Sequence, residues 1–303
     1  MPHVFIIIVN WNGKEDTIHC LSSLKGLNIK NIKLSTVIVD NGSLDDSVEV
    51  IRKKFPSVIV YEAQENLGFT GGNNIGISIA LQKGADYVWF LNNDTLVDKE
   101  SLQALLGTFA DERVGIAGSK IYFAPGREYH KDKYEASDRG KVLWFAGGLI
   151  DWNNMYASHR GVDEVDVGQY DNTEETPFIT GCSMLTKTTV INNIGKFDDA
   201  FYLYLEDLDF CLRAQKEGFR TIYVPSSKIW HVNAGSSGCP GSKLHEYYLT
   251  RNRFLVGLRF APIRTKFALL REGMRFFFQG TPIQKKAVMN FVFGKLGSQA
   301  YDI

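Results

Sequence analysis

Three positions far apart in the sequence carry residue types suited to chemistry on a charged substrate. Glu206-Asp207 opens a helix-like segment, Asp94 follows one apolar run, and His231 follows another. A buried carboxylate loses its solvation, so it needs a cation, hydrogen bonds or water to offset that loss. Acids placed where strands end and helices begin therefore indicate a site rather than part of a core.

Asp94 and His231 are candidates for holding a metal ion. At a strand terminus, the Asp94 carboxylate can bind a hard divalent cation through oxygen, and His231 can add an imidazole nitrogen. Each residue also has a plain structural interpretation. A lone Asp often caps a helix, and a lone His is often a satisfied core or surface residue.

Glu206, Asp207 and Asp209 are candidates for acid–base work, and a simpler structural role is open to them too. Acids favour the positive end of a helix dipole, and Asp209 and Arg213 have the i,i+4 spacing of an ion pair. The aromatic lead-in Phe201–Tyr204 favours a pocket, because apolar walls raise the basicity of a nearby carboxylate.

Two further segments have the residue types of a nucleotide site. Asp40 ends a strand-like VIVD run, where its carboxylate can accept hydrogen bonds from a base or ribose, although Asp-Asn-Gly-Ser also forms an Asx turn by itself. Gly68, Gly71 and Gly72 precede a predicted helix start at Asn73, so backbone can approach a diphosphate or simply make a tight turn. Neither the dinucleotide fingerprint nor the P-loop pattern is present.

Alternating strands and helices must position these residues. Strands are predicted at 4–11, 36–40, 57–61, 87–92 and 114–122, and helices at 15–25, 45–54, 73–83 and 99–109. This alternation predicts right-handed βαβ crossovers and an α/β fold with a mostly parallel central sheet flanked by helices. In such sheets ligands gather at the carboxyl ends of the strands, where the polar residues described above lie.

The second half of the chain has a weaker pattern. Residues 124–175 are rich in charge and glycine and predict a long loop or small insertion near the site. Beyond them we expect a strand at 178–187, a helix at 206–217, and a strand at 219–224 that Pro225 stops.

Composition limits the class of protein. The 303 residues are 44% hydrophobic and 22% charged, as in an ordinary soluble globular protein. No 18 apolar residues follow one another, so we expect no membrane span. The cysteines are scattered without a CxxC pair, which argues against disulfides or a zinc site and favours a reducing compartment; they are Cys20, Cys182, Cys211 and Cys239.

Taken in order, the motifs resemble the inverting glycosyltransferases of family two over about residues 3–255. The resemblance is carried by V-N-W-N-G (9–13), V-D-N-G-S (39–43), N-L-G-F-T-G-G-N-N (66–74), L-N-N-D (91–94), T-G-C-S-M-L (180–185), Y-L-E-D-L-D-F-C-L-R (204–213) and W-H (230–231). The segment Y-Y-L-T-R-N-R (247–253) is similar to one in bacterial rhamnosyltransferases, which suggests a deoxythymidine-diphosphate rhamnose donor.

The resemblance implies the nucleotide-sugar-binding GT-A (Rossmann-like) fold and a set of site residues. Asp207 is expected to be the general base, with Glu206 and Arg213 beside it. Mn²⁺ or Mg²⁺ is expected on Asp94, His231 and Asn92, where Asn92 replaces the first Asp of the family's Asp-X-Asp motif. Expected substrate contacts are Val9, Asn10, Trp11, Asp40, Asn66, Gly71, Asn73, Asn92, Asn93, Gly181 and Arg251, the last on the leaving diphosphate.

The C-terminal region has its own character. Residues 243–303 contain eleven Lys or Arg against three acids, which leaves +8 there and −8 on residues 1–242. Basic and apolar residues interleave over 251–278, as in amphipathic helices that lie on an anionic membrane or pack on the sheet with a solvated basic face. We therefore expect a catalytic domain at 1–240 and a basic helical region at 241–303, in a cytoplasmic protein peripheral to the inner face of the cell membrane.

The expected partners are a nucleoside-diphosphate sugar and a glycan or lipid-linked acceptor, and nucleic acid is not expected. Two other functions remain open from the sequence. A sugar-1-phosphate nucleotidyltransferase would need a basic glycine-rich loop after the first strand, where Asn10–Gly13 supplies none. A non-catalytic sugar-binding module would have no use for Glu206-Asp207.

Overall fold

The computed structural model describes residues 1–130, 133–232 and 241–298. One large sheet has the order β10-β12-β6-β11-β4-β1-β2-β3, with β5 paired to β12 and β7 paired to β6. The strands are β1 His3–Asn10, β2 Lys33–Asp40, β3 Ile59–Glu62, β4 Tyr87–Leu91, β5 Thr95–Val97, β6 Val114–Phe123, β7 Leu143–Phe145, β8 Gly148–Asp151, β9 Tyr156–His159, β10 Glu174–Glu175, β11 Ser183–Lys187 and β12 Arg220–His231. This is the predicted α/β architecture, with helices packed on a central sheet.

The predicted helices are present, the described part of 241–303 forms further helices, and Thr188–Ile194 is a helix that was not predicted. The helices are α1 Lys14–Leu24, α2 Ser47–Lys54, α3 Gly68–Gln82, α4 Ser101–Gly107, α5 Thr188–Ile194, α6 Glu206–Lys216, α7 Lys243–Phe260, α8 Ile263–Gln279 and α9 Pro282–Val292. Gly84 and Gly218, just beyond α3 and α6, have φ of +73° and +84°, the left-handed conformation that favours glycine at a helix end.

The first half of the sheet is parallel, as predicted. Residues 4–8 of β1 are at most 1% exposed, since β2 and β4 flank the strand in the sheet and α3 packs on it. The strand order reverses between β1 and β4, and in open α/β sheets such a reversal opens a crevice at the carboxyl ends of the strands.

Helix α3 begins at Gly68, five residues before the predicted start at Asn73. The glycines of this segment therefore lie inside the helix. A Cβ on Gly72 would come within 2.9 Å of the Val9 side chain, and one on Gly76 within 2.4 Å of Ile7. These two glycines let α3 approach β1 closely.

The second half of the sheet is mixed rather than parallel. β11 runs antiparallel to both β4 and β6, whereas β12 is parallel to β6. β11 also begins at Ser183, not at residue 178. The shorter strand leaves Thr180–Cys182 free to turn at the carboxyl end of β4.

Pro225 does not end its strand, contrary to the prediction. β12 continues to His231, and its pairing with β6 shifts register between Val224 and Lys228. Proline is tolerated in a sheet at such an irregularity, where the missing N–H interrupts no ladder bond. The continuation pairs with β5, a three-residue strand that the sequence did not predict.

The region 124–175 is an insertion with structure of its own. It contains β7, β10 and the β8–β9 hairpin. Residues 131–132 of this region lie outside the described residues. Lys120 of β6, 1% exposed, donates to Asp166 at 2.9 Å and to Asp171 at 2.5 Å. These ion pairs of a buried lysine attach the insertion to the sheet.

The C-terminal helices pack on the preceding part of the chain. Arg259 of α7 bridges Asp198 and Asp209 at 2.7 and 2.8 Å. The predicted domain boundary at 240/241 and Cys239 fall on 233–240, outside the described residues. Across the described ranges, no helix has the length and apolar character needed to cross a membrane.

Candidate functional site

The extension of β12 brings Asp94 and His231 together. His231 pairs with Thr95 in the β5–β12 register, and the Val232 N–H donates to the Asp94 carbonyl at 2.8 Å. As a result His231 Nε2 lies 3.1 Å from Asp94 Oδ1, with the two side chains 6% and 1% exposed.

This pair fits two ligands of one cation. Ligand atoms at about 2.1 Å from a metal and at right angles to one another are about 3.0 Å apart, close to the observed separation. A carboxylate oxygen with an imidazole nitrogen suits Mn²⁺ and also accommodates Mg²⁺. Among the residues that the structure describes, no third His, Cys, Asp or Glu completes a metal-binding group, so further ligands would come from elsewhere.

Asn92 and Asn93 lie at the end of β4, directly before Asp94. The Asn92 N–H donates to the Cys182 carbonyl at 3.0 Å, and its own carbonyl accepts from the Thr95 hydroxyl at 2.8 Å. The Asn93 side chain donates to Thr17 Oγ1 at 3.1 Å. The predicted substrate contact of Asn93 thus competes with a bond that joins β4 to α1.

Asp40 is held at the end of β2. Asn10 Nδ2 donates to Asp40 Oδ2 at 2.7 Å, and the Ser43 N–H donates to Oδ1 at 2.9 Å, which is the Asx turn considered from the sequence. Asn10 is completely buried and also accepts from Thr17 at 2.7 Å. Asn10 therefore positions Asp40, while the neighbouring Trp11 is 52% exposed and accessible to a ligand.

The other predicted contacts around α3 have local roles. Asn66 Oδ1 accepts from the Gly68 N–H at 2.9 Å, and buried Asn73 donates to the Phe69 carbonyl at 2.9 Å. Val9 faces α3 at Gly72. Gly71 lines an open cavity of about 610 Å³ between α3 and residues 199–202.

Asp207 is the second residue of α6 and lies beside the turn at residues 180–182. Its Oδ2 accepts from the Gly181 N–H at 3.0 Å, and its Oδ1 accepts from the Leu208 N–H at 2.8 Å. A Cβ on Gly181 would lie 2.7 Å from the Phe69 ring, so only glycine fits this close approach without a shift.

The neighbouring carboxyl groups of Glu206 and Asp207 differ in how readily they ionise. Burial raises the pKa of both, and the pKa of Glu206 is raised well above its usual range, with the Asp207 charge as a second cause. Asp207 receives N–H donors that favour its ionised form, whereas Glu206 Oε2 has no hydrogen bond to any described residue. The charge therefore belongs to Asp207 and the proton to Glu206.

The chain leading into Asp207 is strained. Tyr202, Tyr204 and Leu205 have φ of +63°, +69° and +66°, a left-handed conformation that costs a non-glycine residue about 1 kcal/mol or more. The Asn252 amide holds these turns by donating to the carbonyls of Leu203 and Tyr204 at 2.8 and 2.7 Å.

Arg251 corrects a prediction. Its guanidinium is completely buried and donates to the carbonyls of Ala200 and Phe201, both at 2.7 Å, and of Gly297 at 3.1 Å. A group enclosed by backbone carbonyls is not available to a diphosphate. Arg251 instead supports the segment that leads to Glu206 and Asp207.

Arg213 was expected beside the general base Asp207, but its guanidinium makes other contacts. It donates to Asp209 at 2.7 Å, to the Ile194 carbonyl at 2.7 Å and to the Lys196 carbonyl at 3.0 Å. The i,i+4 ion pair is therefore the one that forms, and it ties α6 to the end of α5.

One strand end brings the two halves of the site together. β11 pairs with β4 so that Ser183 lies opposite Leu91, which places the preceding turn at the carboxyl end of β4. The Cys182 carbonyl accepts from the Asn92 N–H at 3.0 Å, and the Gly181 N–H donates to Asp207 at 3.0 Å, so the turn before β11 contacts both sides. The structure thus gathers Asp94, His231 and Asp207 around the carboxyl end of β4.

Two aromatic residues of the insertion join the site without having been predicted. The Trp144 ring lies 4.7 Å from the His231 ring and 4.4 Å from the His159 ring, centroid to centroid. Burial lowers the pKa of His159 to about 4, so this imidazole is neutral at pH 7. The weak periodicity of 124–175 gave no signal for either residue.

A family profile and two relatives of known name all indicate a glycosyltransferase. The sequence profile described as "Glycosyltransferase like family 2" matches residues 2–254. The N-acetylglucosaminyl-diphospho-decaprenol L-rhamnosyltransferase of Mycobacterium tuberculosis is 27% identical over 238 residues, which cover 74% of this chain and 75% of that protein. Rhamnosyltransferase WbbL of Escherichia coli is 25% identical over 279 residues, covering 87% of this chain and 99% of the relative.

Two solved structures share the fold at low sequence identity. GalNAc-T7 with UDP, GalNAc and Mn²⁺ matches 99% of this chain and 55% of its own, at a TM-score of 0.69 and 14% identity. The mannosyltransferase PcManGT of Pyrobaculum calidifontis, with GDP-Man and Mn²⁺, matches 100% of this chain and 76% of its own chain. Its TM-score is 0.55 and its sequence identity is 15%. At these identities the likeness shows the fold alone, which is GT-A.

Proposed function

The chain belongs to the glycosyltransferase family 2-like proteins, and on that premise we propose that it transfers a sugar with inversion from a nucleoside diphosphate to an acceptor hydroxyl. The names of these two relatives favour rhamnose as the sugar. The name of a third relative, the dTDP-rhamnosyl transferase RfbF of Shigella flexneri, favours dTDP-rhamnose as the donor. The acceptor would be a glycan or a lipid-linked saccharide. With a lipid-linked acceptor, the protein would work at the inner face of the cell membrane.

Asp207 is the proposed general base. It removes the proton from the acceptor hydroxyl as that oxygen bonds to the anomeric carbon and the bond from this carbon to the diphosphate oxygen breaks. One displacement inverts the anomeric centre, and the nucleoside diphosphate leaves with the electron pair of the broken bond. General-base help of this kind contributes about 10²–10⁴-fold to a rate. Because the pKa of Glu206 is raised by burial and by the Asp207 charge, a proton kept on Glu206 would leave the charge on Asp207 alone.

The donor would bind along the carboxyl ends of β1, β2 and β4. Asp40, which Asn10 orients through a hydrogen bond of 2.7 Å, would accept hydrogen bonds from the base or ribose. Asp94 and His231 would hold Mn²⁺ or Mg²⁺, which when bound offsets negative charge on the diphosphate as a Lewis acid. Asn92, two residues before Asp94, is the proposed additional oxygen ligand.

One observation carries this proposal: the turn at residues 180–182 contacts both sides of the site, because the Gly181 N–H donates to Asp207 at 3.0 Å and the Cys182 carbonyl accepts from the Asn92 N–H at 3.0 Å. The test compares Asp207→Asn with wild type in a coupled assay of nucleoside diphosphate release from dTDP-rhamnose. We expect Asp207→Asn to bind donor normally and to lose about 10²–10⁴-fold in turnover. Wild-type turnover by this variant would refute the assignment of Asp207, and donor binding without turnover in the wild-type protein would favour a binding module.

A further inference from the structure

Helix α8 is apolar on two faces, and only one of them is packed. Thr265, Leu269 and Gly273 form the buried face against the rest of the protein, and the Thr265 hydroxyl donates to the Trp152 carbonyl at 2.8 Å. The opposite face carries large apolar side chains that are 47–72% exposed, namely Ile263, Phe267, Leu270, Met274, Phe277 and Phe278. We call these six residues the outer stripe.

The spacing of the outer stripe is that of one continuous helix face. At about 100° per residue, the six side chains fall within an arc of roughly 100°. A soluble helix normally turns an apolar arc of this width toward a core. Here the core-facing arc is a separate set of residues, so the outer stripe needs a partner of its own.

Basic residues flank the outer stripe. By the same helical geometry, Arg264, Arg271 and Arg275 lie along one side of the stripe and Lys266 along the other. The one acid of α8, Glu272, pairs with Arg253 at 2.7 Å and also lies 3.8 Å from the flanking Arg275. The arginine side borders a cavity of about 420 Å³ that the turn of the β8–β9 hairpin helps to line.

We propose that the outer stripe of α8 docks the protein on an anionic lipid bilayer. The apolar side chains would enter the boundary between headgroups and acyl chains, and the flanking Arg and Lys would lie among the lipid phosphates. Charge favours this partner over a second copy of the chain, because two outer stripes in contact would bring like-charged arginine rows together. The purpose of such docking rests on the proposed function, since it would bring the site to a lipid-linked acceptor.

The test is co-sedimentation of the whole protein with vesicles, without donor or acceptor. We expect binding to vesicles of phosphatidylcholine mixed with phosphatidylglycerol, weaker binding to phosphatidylcholine alone, and a decrease with added salt. Phe267→Ser/Phe278→Ser should weaken binding by at least about tenfold, since two exposed aromatic side chains no longer enter the bilayer. Arg264→Gln/Arg271→Gln should weaken it by roughly fivefold for each charge removed.

Two matched control variants test whether vesicle binding depends on the outer stripe itself or on any exposed apolar side chain or positive charge. Tyr129→Ser/Val167→Ser removes two apolar side chains that are 61% and 83% exposed elsewhere, and Lys53→Gln/Lys54→Gln removes two charges from α2. Both controls should bind as wild type does, and all variants should keep the wild-type melting temperature.

Two outcomes would overturn the proposal. One is equal binding by wild type and the two α8 variants. The other is a dimer in sedimentation equilibrium that the Phe267→Ser/Phe278→Ser variant dissociates, with no vesicle binding by wild type. Because no turnover is measured, failure of this proposal is distinct from failure of the glycosyltransferase assignment.

Discussion

Asp94 Oδ1 and His231 Nε2 lie 3.1 Å apart because β5 and the far end of β12 pair so that His231 faces Thr95. The pairing makes one unit of two residues that are remote in the sequence. It also explains why the site depends on β12 continuing beyond Pro225.

Removing either member of this pair should weaken the response of the enzyme to metal. We expect Asp94→Asn and His231→Ala to raise the Mn²⁺ concentration needed for half-maximal turnover by about tenfold or more, as loss of groups at metal sites typically does. The measurement is turnover against Mn²⁺ concentration at saturating donor. His130→Ala, a change at an exposed histidine, is the control; superimposable metal curves for all four proteins would exclude the pair as ligands.

Asn252→Ala should damage the catalytic segment without touching substrate. The amide donates to the carbonyls of Leu203 and Tyr204 next to three left-handed residues, so its loss leaves buried acceptors unpaired and releases strain. We expect a loss of about 1–3 kcal/mol in the free energy of unfolding and a lower kcat with little change in donor KM. Denaturant unfolding and steady-state kinetics measure both effects. Asn193→Ala on the exposed side of α5 is the matched control, and an equal effect there would argue against this role.

Glu206 should make the protein less stable as pH rises. Its folded-state pKa is raised, so the folded protein holds this proton at pH values where the unfolded chain has released it. The free energy of unfolding therefore falls as pH rises above about 4.3, by at most about 1.4 kcal/mol per pH unit. Glu206→Gln cannot titrate and should show a flatter dependence of melting temperature on pH. Parallel curves for wild type and the variant would show that Glu206 is ionised in the folded protein.

The acid limb of the pH–rate profile should lie above the range of an ordinary aspartate. Burial raises the pKa of Asp207, and this base works only when it is ionised. As the pH is lowered, kcat should therefore begin to fall at a pH above about 3.9, the pKa of an ordinary aspartate. Since Glu206 keeps its proton in this range, Glu206→Gln should leave the limb in place. A clear downward shift of the limb in that variant would mean that Glu206 carries charge beside Asp207.

Gly181→Ala should displace the N–H that Asp207 accepts. The added methyl group would meet the Phe69 ring at 2.7 Å, and the strand end would have to shift. We expect lower kcat and partial recovery in Gly181→Ala/Phe69→Leu, where the smaller side chain makes room. If the double variant is no better than the single one, the contact with Phe69 is not the cause.

Most of the α/β alternation could be predicted from the amino-acid sequence alone. The apolar runs of β1, β2 and β4 carry their own signal, because a strand buried on both faces must be apolar throughout. The acids Asp40, Asp94 and Asp207 were equally visible, since an ionisable residue that directly follows a buried run seldom belongs to the core. The motif order then indicated the family, which the match over residues 2–254 confirms.

The partners of these residues became known only from the folded chain. Arg251 has a residue type suited to a diphosphate, yet the fold surrounds it with backbone carbonyls. Trp144 comes from a region without periodicity and reaches His231 through the pairing of β7 with β6. Local residue patterns specify the secondary structure that a short segment can form, but contacts between remote segments depend on strand register and helix packing. That is why Asp94, His231 and Asp207 could be named from the sequence, whereas the strand end that unites them could not.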